Sequence, residues 1–511
     1  MKLGIDFGTT RIVVAHADRG NFPVWHFPGP DEAPRDYLPA LVATNGSELR
    51  FGWQAWAMIG TPGWSVTRSL KRVLDTAGPG TRVDLGLIEL PLLEVLAGLA
   101  DEVRRGLPAN EPLEVMIGVP ANSNSNQRYL TAEAFRLAGF QVLGLLNEPS
   151  AAGVEYGHAV SKRSAHELLL IYDLGGGTFD ASLVEVHGGE HEVLASEGIS
   201  TLGGDDFDAA MAEMALTPEQ LDQLDQDALF RLHELCRQLK ESLSPNSRRL
   251  VLDLESVQPG LGFATINVSD YYDRCRPLLD ETLHAVEDLL ADAEQSAIDC
   301  LYVTGGGSEL PLVPRLLRER FGRRVKRSAY TRAATAIGLA IHADGQAGFT
   351  LRERFTRYFG VWREADGGRE IIFDPVFSKG TLLPRVGEPP LERSRRYQPA
   401  HNLGHFRYLE SSNVDESGRP AGDITLWDDI LFPFDPVLAE REDLTQVPVC
   451  HSAVAASQSI AETWYCDANG AVEVELRNET SHYGRRFRLG RWKAAEKAVK
   501  PVRGRRSRVT R

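Results

Sequence analysis

The chain has 511 residues, 25% of them charged and 42% hydrophobic, with a formal net charge of −15. That length exceeds what one hydrophobic core usually supports, so two or three domains are expected. The acidic balance argues against a nucleic-acid binder as a whole, and no run of about 18 apolar residues offers a membrane span. The N-terminus runs straight into a strand pattern without a charged and apolar leader, which makes the cytoplasm the expected compartment. The five cysteines, Cys236, Cys275, Cys300, Cys450 and Cys466, are odd in number and widely spaced, with no CxxC pair, and read as buried free thiols. The 13 histidines show no HExxH pattern, so a metal held by the protein alone is not expected.

From Met1 to about Phe27 the pattern predicts strand, turn, strand and strand, with an alternation over 11–17 that fits a meander. Within it Leu3 Gly4 Ile5 Asp6 Phe7 Gly8 Thr9 Thr10 forms a glycine turn ahead of Ile12 Val13 Val14 Ala15. A looser region rich in Gly, Pro and Trp follows to about Gly80 and contains Ser69 Leu70 Lys71 Arg72 Val73 Leu74. Taken alone, Lys71 there reads as a solvated lysine. A helix is predicted over 91–105, with Leu92, Val95, Leu96 and Leu99 on one face. Glu114 Val115 Met116 Ile117 Gly118 Val119 Pro120 reads as a buried strand closed by its proline. The polar stretch 122–126 caps a helix that carries Leu130, Ala134, Leu137 and Ala138, and Gly139 stops it. A strand over 142–146 then delivers Asn147 Glu148 Pro149 Ser150 to a new helix, so Glu148 sits at a strand-to-helix junction, where open α/β folds place function.

The stretch Tyr172 Asp173 Leu174 Gly175 Gly176 Gly177 Thr178 Phe179 Asp180 lies between two apolar runs. A strand, a glycine turn and a second strand put a carboxylate at the tip and free backbone N–H groups toward an anion, which is a phosphate cradle. With the similar turn after Asp6, it predicts two like half-domains facing one nucleotide. A third cluster, Leu202 Gly203 Gly204 Asp205 Asp206 Phe207 Asp208, follows a strand around Val193. The acidic stretch 213–241 reads as helical with a stripe of Leu229, Leu232, Leu235 and Leu239, and a long helix is predicted over 277–297. A strand over 301–304 then meets Gly305 Gly306 Gly307 Ser308 and a helix over 312–321, a third nucleotide-facing element.

Beyond about Ala343 the pattern changes to short strands, marked by Ile371, Phe373, Phe406, Tyr408, Ile424 and Leu426. A hairpin over 464–476 is centred on Asn469 Gly470, the pair a type I′ turn prefers. From Gly484 onward twelve Lys and Arg face the single acid Glu496. Such a basic tail is solvated and disordered, or holds anionic partners by counterion release.

Gly4 to Thr10, Gly118 Val119 Pro120 Ala121, Asn147 Glu148 Pro149 Ser150 Ala151 Ala152, Asp173 to Asp180 and Leu202 to Asp208 occur in one order. This set resembles the signature of the heat-shock 70 (DnaK-type) chaperones of the actin-like ATPase superfamily. The resemblance implies an α/β fold of the actin-like ATPase type, two-lobed with ribonuclease H-like subdomains, followed by a β-sandwich. The expected organisation is a nucleotide-binding domain over 1–345, a linker and first strand region over 346–369, a β-sandwich substrate-binding-like domain over 370–490 and a basic tail over 491–511. Phe377 Ser378 Lys379 Gly380 Thr381 Leu382 Leu383 Pro384 and Asp467 Ala468 Asn469 Gly470 are similar to elements of the family's sandwich. Phe349 Thr350 Leu351 Arg352 Glu353 stands in place of the usual acidic, apolar linker, and no helical lid is evident in the sequence.

The resemblance also implies a chaperone of the stress response with slow ATP hydrolysis, using ATP and Mg2+. Lys71, Glu148, Asp173, Thr178 and Asp180 would serve catalysis. Asp6, Gly8, Thr9, Thr10, Gly175, Gly176, Gly177, Gly203, Gly204, Lys240, Ser244, Gly305, Gly306 and Gly307 would hold the nucleotide, and Asp6 and Asp173 would hold Mg2+ through water. Pro120 and Arg128 match relay positions. Unfolded or extended polypeptide, a J-domain co-chaperone and a nucleotide exchange factor are the implied partners. The base side of the cleft departs from the pattern: Arg237 stands where the family has an acid, Glu309 where it has an arginine stacking on adenine, and Arg332 where an aspartate is common. The alternatives are a nucleotide-sensing interaction module with little turnover, and an actin-fold small-molecule kinase.

Overall fold

The computed structural model describes residues 1–78, 80–108, 111–159, 166–292, 298–365, 370–385 and 387–489. Its first large sheet is centred on the hairpin Lys2–Phe7 and Arg11–His16, whose register pairs Asp6 with Val13 and Phe7 with Ile12. Glu114–Val119 joins the free side of Lys2–Phe7 in parallel, Gln141–Asn147 lies beyond it, and Leu38–Pro39 closes the far edge. The second large sheet follows the same plan. The hairpin His166–Leu174 and Phe179–His187 sets Asp173 opposite Asp180, and Cys300–Thr304 joins it in parallel. Val325–Arg327 and the pair Glu190–Ile199 and Thr350–Arg352 complete the two sides.

Two helices bind these sheets together. Glu148–Ala159 and Ala334–Ala343 cross so closely that a Cβ on Gly338 would fall 1.8 Å from the Ala151 carbonyl oxygen. A Cβ on Gly4 would lie 2.2 Å from the Ala336 oxygen, so glycine is required at both contacts by proximity rather than by turn geometry.

The helix over 91–105 and the one capped by the polar stretch 122–126 form close to expectation, as Leu92–Arg105 and Ser125–Leu137, the latter capped by the Asn124 side chain, which accepts from the Gln127 N–H. Other expectations are corrected. The third strand of the N-terminal meander does not form before Phe27; the hairpin's partner is Leu38–Pro39, reached after a bridged loop. The looser region to Gly80 contains a small sheet of Val42–Thr44, Leu49–Phe51 and Ser65–Thr67. The acidic stretch splits into Gly204–Ala215, Pro218–Asp222 and Gln226–Glu241, because Thr217 and Asp225 each cap a new helix. In the last of these Leu232, Cys236 and Phe230 are buried while Leu229 is exposed, a face rotated from the leucine stripe. The long helix begins at Val268 and runs through Pro277, since Tyr271 and Cys275 before the proline are buried in the core; residues 293–297 of that expectation lie outside the described residues.

The C-terminal region folds as two four-stranded antiparallel sheets. One is ordered Glu370–Phe377, Tyr358–Ala365, Leu403–Val414 and Pro420–Pro433, and the other Leu391–Tyr397, Ile460–Cys466, Val472–Asn478 and Tyr483–Arg488. Phe359, Phe377, Tyr408, Phe432, Trp464 and Leu476 fill the space between, each large buried side chain contributing about 1.5–3 kcal/mol. The expected hairpin is present, but its turn is not of type I′. Asn469 does not take a positive φ; Gly470 alone does (+74°), and the Asp467 carboxylate accepts the N–H groups of Asn469 and Ala471. The basic strand Tyr483–Arg488 is part of the sandwich, while the tail over 491–511 lies outside the described residues. Four cysteines are buried and free; Cys450 is free but exposed, against expectation. Among the described residues no helix is long and apolar enough to cross a membrane.

The segment expected to be a poor linker takes a defined place. Thr350–Arg352 pairs in parallel with Glu190–Ile199, His191 facing Leu351. His191 is buried beside Phe349, and burial pulls its imidazole below the ordinary histidine range. A depressed folded value means that the unfolded chain binds the proton more readily, so stability is complete above the unfolded value of about 6.5 and is lost as the pH falls. Acidification from about pH 7.5 to about 5.5 is expected to raise amide exchange of 350–352 roughly ten-fold after correction for intrinsic rates. Unchanged protection would show that His191 does not govern this strand.

Candidate functional site

The two glycine turns meet. A Cβ on Gly176 would lie 2.7 Å from the Thr10 hydroxyl, and one on Gly177 2.7 Å from the Thr9 hydroxyl, so backbone of the second turn faces hydroxyls of the first. The third cluster closes the second turn from behind: the Gly204 N–H donates to Gly175 O at 3.0 Å and the Asp205 N–H to Gly176 O at 2.7 Å. Gly305 has a φ of +82°, and a Cβ there would fall 2.4 Å from an Asp173 carboxylate oxygen. These approaches leave a cradle that any side chain would fill, with backbone polar groups as its lining.

Between the turns lies a cleft of about 870 Å³, part of it open solvent. Asp6, Gly8, Thr9, Thr10, Lys71, Glu148, Asp173, Gly175, Gly176, Thr178, Gly204, Lys240, Gly305, Gly306 and Gly307 line it. Of the other expected site residues, Gly177 and Gly203 sit just behind this surface, in contact with each other. Asp180 is buried and accepts the Ala121 N–H at 2.9 Å. Ser244 stands apart from the cleft lining, exposed and hydrogen-bonded to Ser247.

Lys71 is not solvated. It lies on the short helix Leu70–Val73, is 7% exposed, and donates to the Glu148 carboxylate. Burial alone would lower its pKa, but Glu148, Asp6 and Asp180 outweigh that and hold it above the ordinary lysine value, fully charged. The carboxylates around it are crowded. Burial and then Glu148 push Asp173 up to about 8 and Asp180 to about 7, and the same two causes raise Asp6 well above the carboxylate range. One ammonium does not balance Asp6, Glu148, Asp173 and Asp180, so the donor set fits a divalent cation. Among the described residues no group of three such side chains could hold a metal ion by direct ligation.

Some residues at or around the cleft escaped sequence reasoning. Arg68 and Ser69 donate to Asp205 at 2.7 and 2.6 Å, and Arg72 donates to Asp206 at 2.6 Å and to Gly177 O, all tying one lobe to the other. Lys240 reaches the cleft but is already paired with buried Asp208 at 2.7 Å. Arg11 and Glu241 also line the cleft; the adjacency of Arg11 to the first turn and of Glu241 to Lys240 is the one signal that could have marked them.

The sandwich is seated on the lobes. Glu410, buried, accepts the Ser125 N–H at 2.8 Å at the start of helix Ser125–Leu137 and lies 3.8 Å from Arg357. Arg128 donates to the Asn147 side-chain oxygen Oδ1, and the Asn147 Nδ2 donates to Glu353 at 2.8 Å. Lys379 pairs with Glu197, and Arg354 with Glu192, both at 2.5 Å.

The family model described as Hsp70 protein matches residues 94–354, just over half of the chain. The chain belongs to the Hsp70 family. Its fold is accordingly the family's two-lobed actin-like ATPase followed by a β-rich region. The Hsp70 chain is 34% identical over 369 residues to the chaperone protein HscA of Klebsiella pneumoniae, covering 67% of this chain and 58% of that protein. It is 32% identical over 413 residues to the chaperone protein DnaK of Thermotoga petrophila, covering 75% of this chain and 66% of that one. A HscA homolog of Burkholderia multivorans is 34% identical over 376 residues, 68% of this chain and 59% of the relative. The Hsp70 chain thus spans less than two thirds of the length of these curated relatives.

Proposed function

We propose that this chain is an ATP-dependent molecular chaperone that binds ATP with Mg2+ between its lobes, hydrolyses it slowly, and couples that cycle to unfolded or extended polypeptide. The observation that carries the reading is the pair of facing glycine turns with Lys71, Glu148, Asp6 and Asp173 between them. In this reading Thr9, Thr10 and the amides of 175–178 wrap the phosphates, with the backbone of Gly203, Gly204 and 305–307 behind them. Lys71 offsets charge developing on the transferred phosphoryl group, while Glu148, Thr178 and Asp180 orient a water. Asp6 and Asp173 hold the hydrated Mg2+, which when bound supplies charge neutralisation at the phosphate oxygens.

The nucleotide-binding unit is assigned to 1–345, the linker and first strand region to 346–369, the substrate-binding unit to 370–490 and a basic tail to 491–511. Ile371 and Ile372 on one edge strand and Ile424 and Leu426 on the other are exposed, which supports strand-like contact with apolar segments of a client. A J-domain co-chaperone and a nucleotide exchange factor complete the proposed partners, in the cytoplasm.

The link from sandwich to lobe is assigned to Glu410 at the start of helix Ser125–Leu137. In steady-state ATPase assays an unfolded client is expected to raise turnover by roughly five-fold or more. Glu410→Gln is expected to leave the basal rate unchanged and to cut the stimulation at least about three-fold. Turnover indifferent to client in the unmodified chain would remove the coupled reading; equal stimulation in the variant would remove Glu410 as the link.

A further inference from the structure

The cleft has two ends of different chemistry. The phosphate cradle, magnesium carboxylates and Lys71 occupy one, and Arg11, Arg237, Glu241 and Arg332 line the other. On the nucleotide reading, a ligand with its phosphates in the cradle places its base at that second end. Resting on the nucleotide reading above, we infer that the site binds purine and pyrimidine nucleoside triphosphates alike and does not select adenine.

The reason is how the charges at this end are used. Arg11, following the first turn, donates to both carboxylate oxygens of Glu241 at 2.8 and 2.7 Å. Glu241 also takes a bond from Arg332 at 3.5 Å, and Arg332 forks onto Glu309 at 2.8 and 2.5 Å. Arg327 takes the other Glu309 oxygen at 3.0 Å. The chain Arg11, Glu241, Arg332, Glu309, Arg327 therefore runs from one lobe to the other across the base end. Beside it Arg237 forks onto Glu234 at 3.0 and 2.6 Å. Every oxygen of these three carboxylates already accepts from a guanidinium.

Selecting one base takes polar groups that only the right base can satisfy, because a site left with unpaired groups rejects the wrong one. Here the acids and guanidiniums satisfy each other whichever base is present, so no base edge is required and none is rejected. The cleft's own lining offers no apolar slot shaped for one ring: Val13 is the single sizeable apolar side chain among the described residues that line it, and none of them is aromatic. A guanidinium plane can still stack on a base, but every base offers a π-face and that contact tolerates them all. Affinity then rests on the phosphates and magnesium, which all triphosphates share.

The test is competition of ATP, GTP, UTP and inorganic tripolyphosphate, each with Mg2+, against a ribose-labelled fluorescent ADP on the full chain. The expected result is that the three nucleotides fall within about five-fold of one another. An ATP preference of about 50-fold or more would overturn the inference while leaving the nucleotide reading intact. Failure of all four competitors and of the labelled ADP to bind would overturn both. Glu241→Gln is the second arm. It releases Arg11, whose guanidinium can then pair bidentately with guanine O6 and N7, and GTP should become favoured by about ten-fold. Unaltered selectivity in that variant would overturn the ion-pair chain as the cause.

Discussion

Lys71→Met is expected to lower single-turnover ATP hydrolysis by about 10²–10³-fold at saturating Mg2+ and nucleotide, the range for removing one preorganised electrostatic contact at a reacting group. The substitution keeps much of the aliphatic stem that the buried position packs, so a folding defect is not the main expectation. What it removes is the ammonium bonded to Glu148 and surrounded by Asp6 and Asp180. Without it Asp6, Glu148, Asp173 and Asp180 are left with no facing ammonium, the pKa values of Asp6, Asp173 and Asp180 rise further, and the group that would draw negative charge from the phosphoryl oxygens is gone. Lys71→Arg is expected to restore little, because a planar fork does not fit a place shaped for a compact ammonium. The readout is quenched-flow release of phosphate, with nucleotide affinity measured in parallel. Hydrolysis within about three-fold of the unmodified chain in Lys71→Met would remove Lys71 from the chemistry.

Glu462→Ala is expected to destabilise the β-sandwich by about 3–5 kcal/mol, the cost of stripping one partner from a buried ion pair. Glu462 is fully buried and takes two bonds from Arg363, at 3.0 and 2.8 Å, and one from the Tyr397 hydroxyl. Arg363 also donates to Asp374 at 2.6 Å, and Asp374 is shared with Arg395. Burial would pull the Arg363 pKa down, but its bonds and attraction to Glu462 lift it above the ordinary arginine value; without Glu462 the guanidinium still keeps its proton, as arginine does throughout the ordinary pH range, so the charge stays. Against a domain stability of about 5–15 kcal/mol, that loss leaves the sandwich marginal. The double variant Arg363→Met with Glu462→Leu is expected to recover most of it, since an apolar pair removes both desolvation penalties. Urea unfolding followed by tryptophan emission, with Trp464 in this core, measures both. A single variant as stable as the unmodified chain would show that Asp374 alone suffices to hold Arg363.

Much of this molecule was legible from local pattern. The hairpin strands around each glycine turn, the helix behind Asn124 and the alternation of Val472, Val474 and Leu476 follow from side-chain period, capping and turn chemistry. Local signals failed where tertiary contacts overrode them. Pro277 reads as a helix start, yet the buried Tyr271 and Cys275 extend the helix through it. Asn469 Gly470 reads as a type I′ turn, yet the Asp467 carboxylate gathers the loop into another shape. Phe349 to Glu353 reads as a weak linker, yet 350–352 find a sheet edge to complete.

The sequence by itself determined where phosphate could be held, because glycine turns beside carboxylates carry their chemistry within a few residues. Only the tertiary structure decided what surrounds them. Lys71 alone looks like any surface lysine, and it is buried because Glu148, 77 residues away, comes to meet it. Arg11 and Glu241 are 230 residues apart, and Ser125 and Glu410 are 285 apart. Contacts of that span leave no periodicity in the chain, since nothing local fixes which polar groups face each other until the lobes and the sandwich have packed.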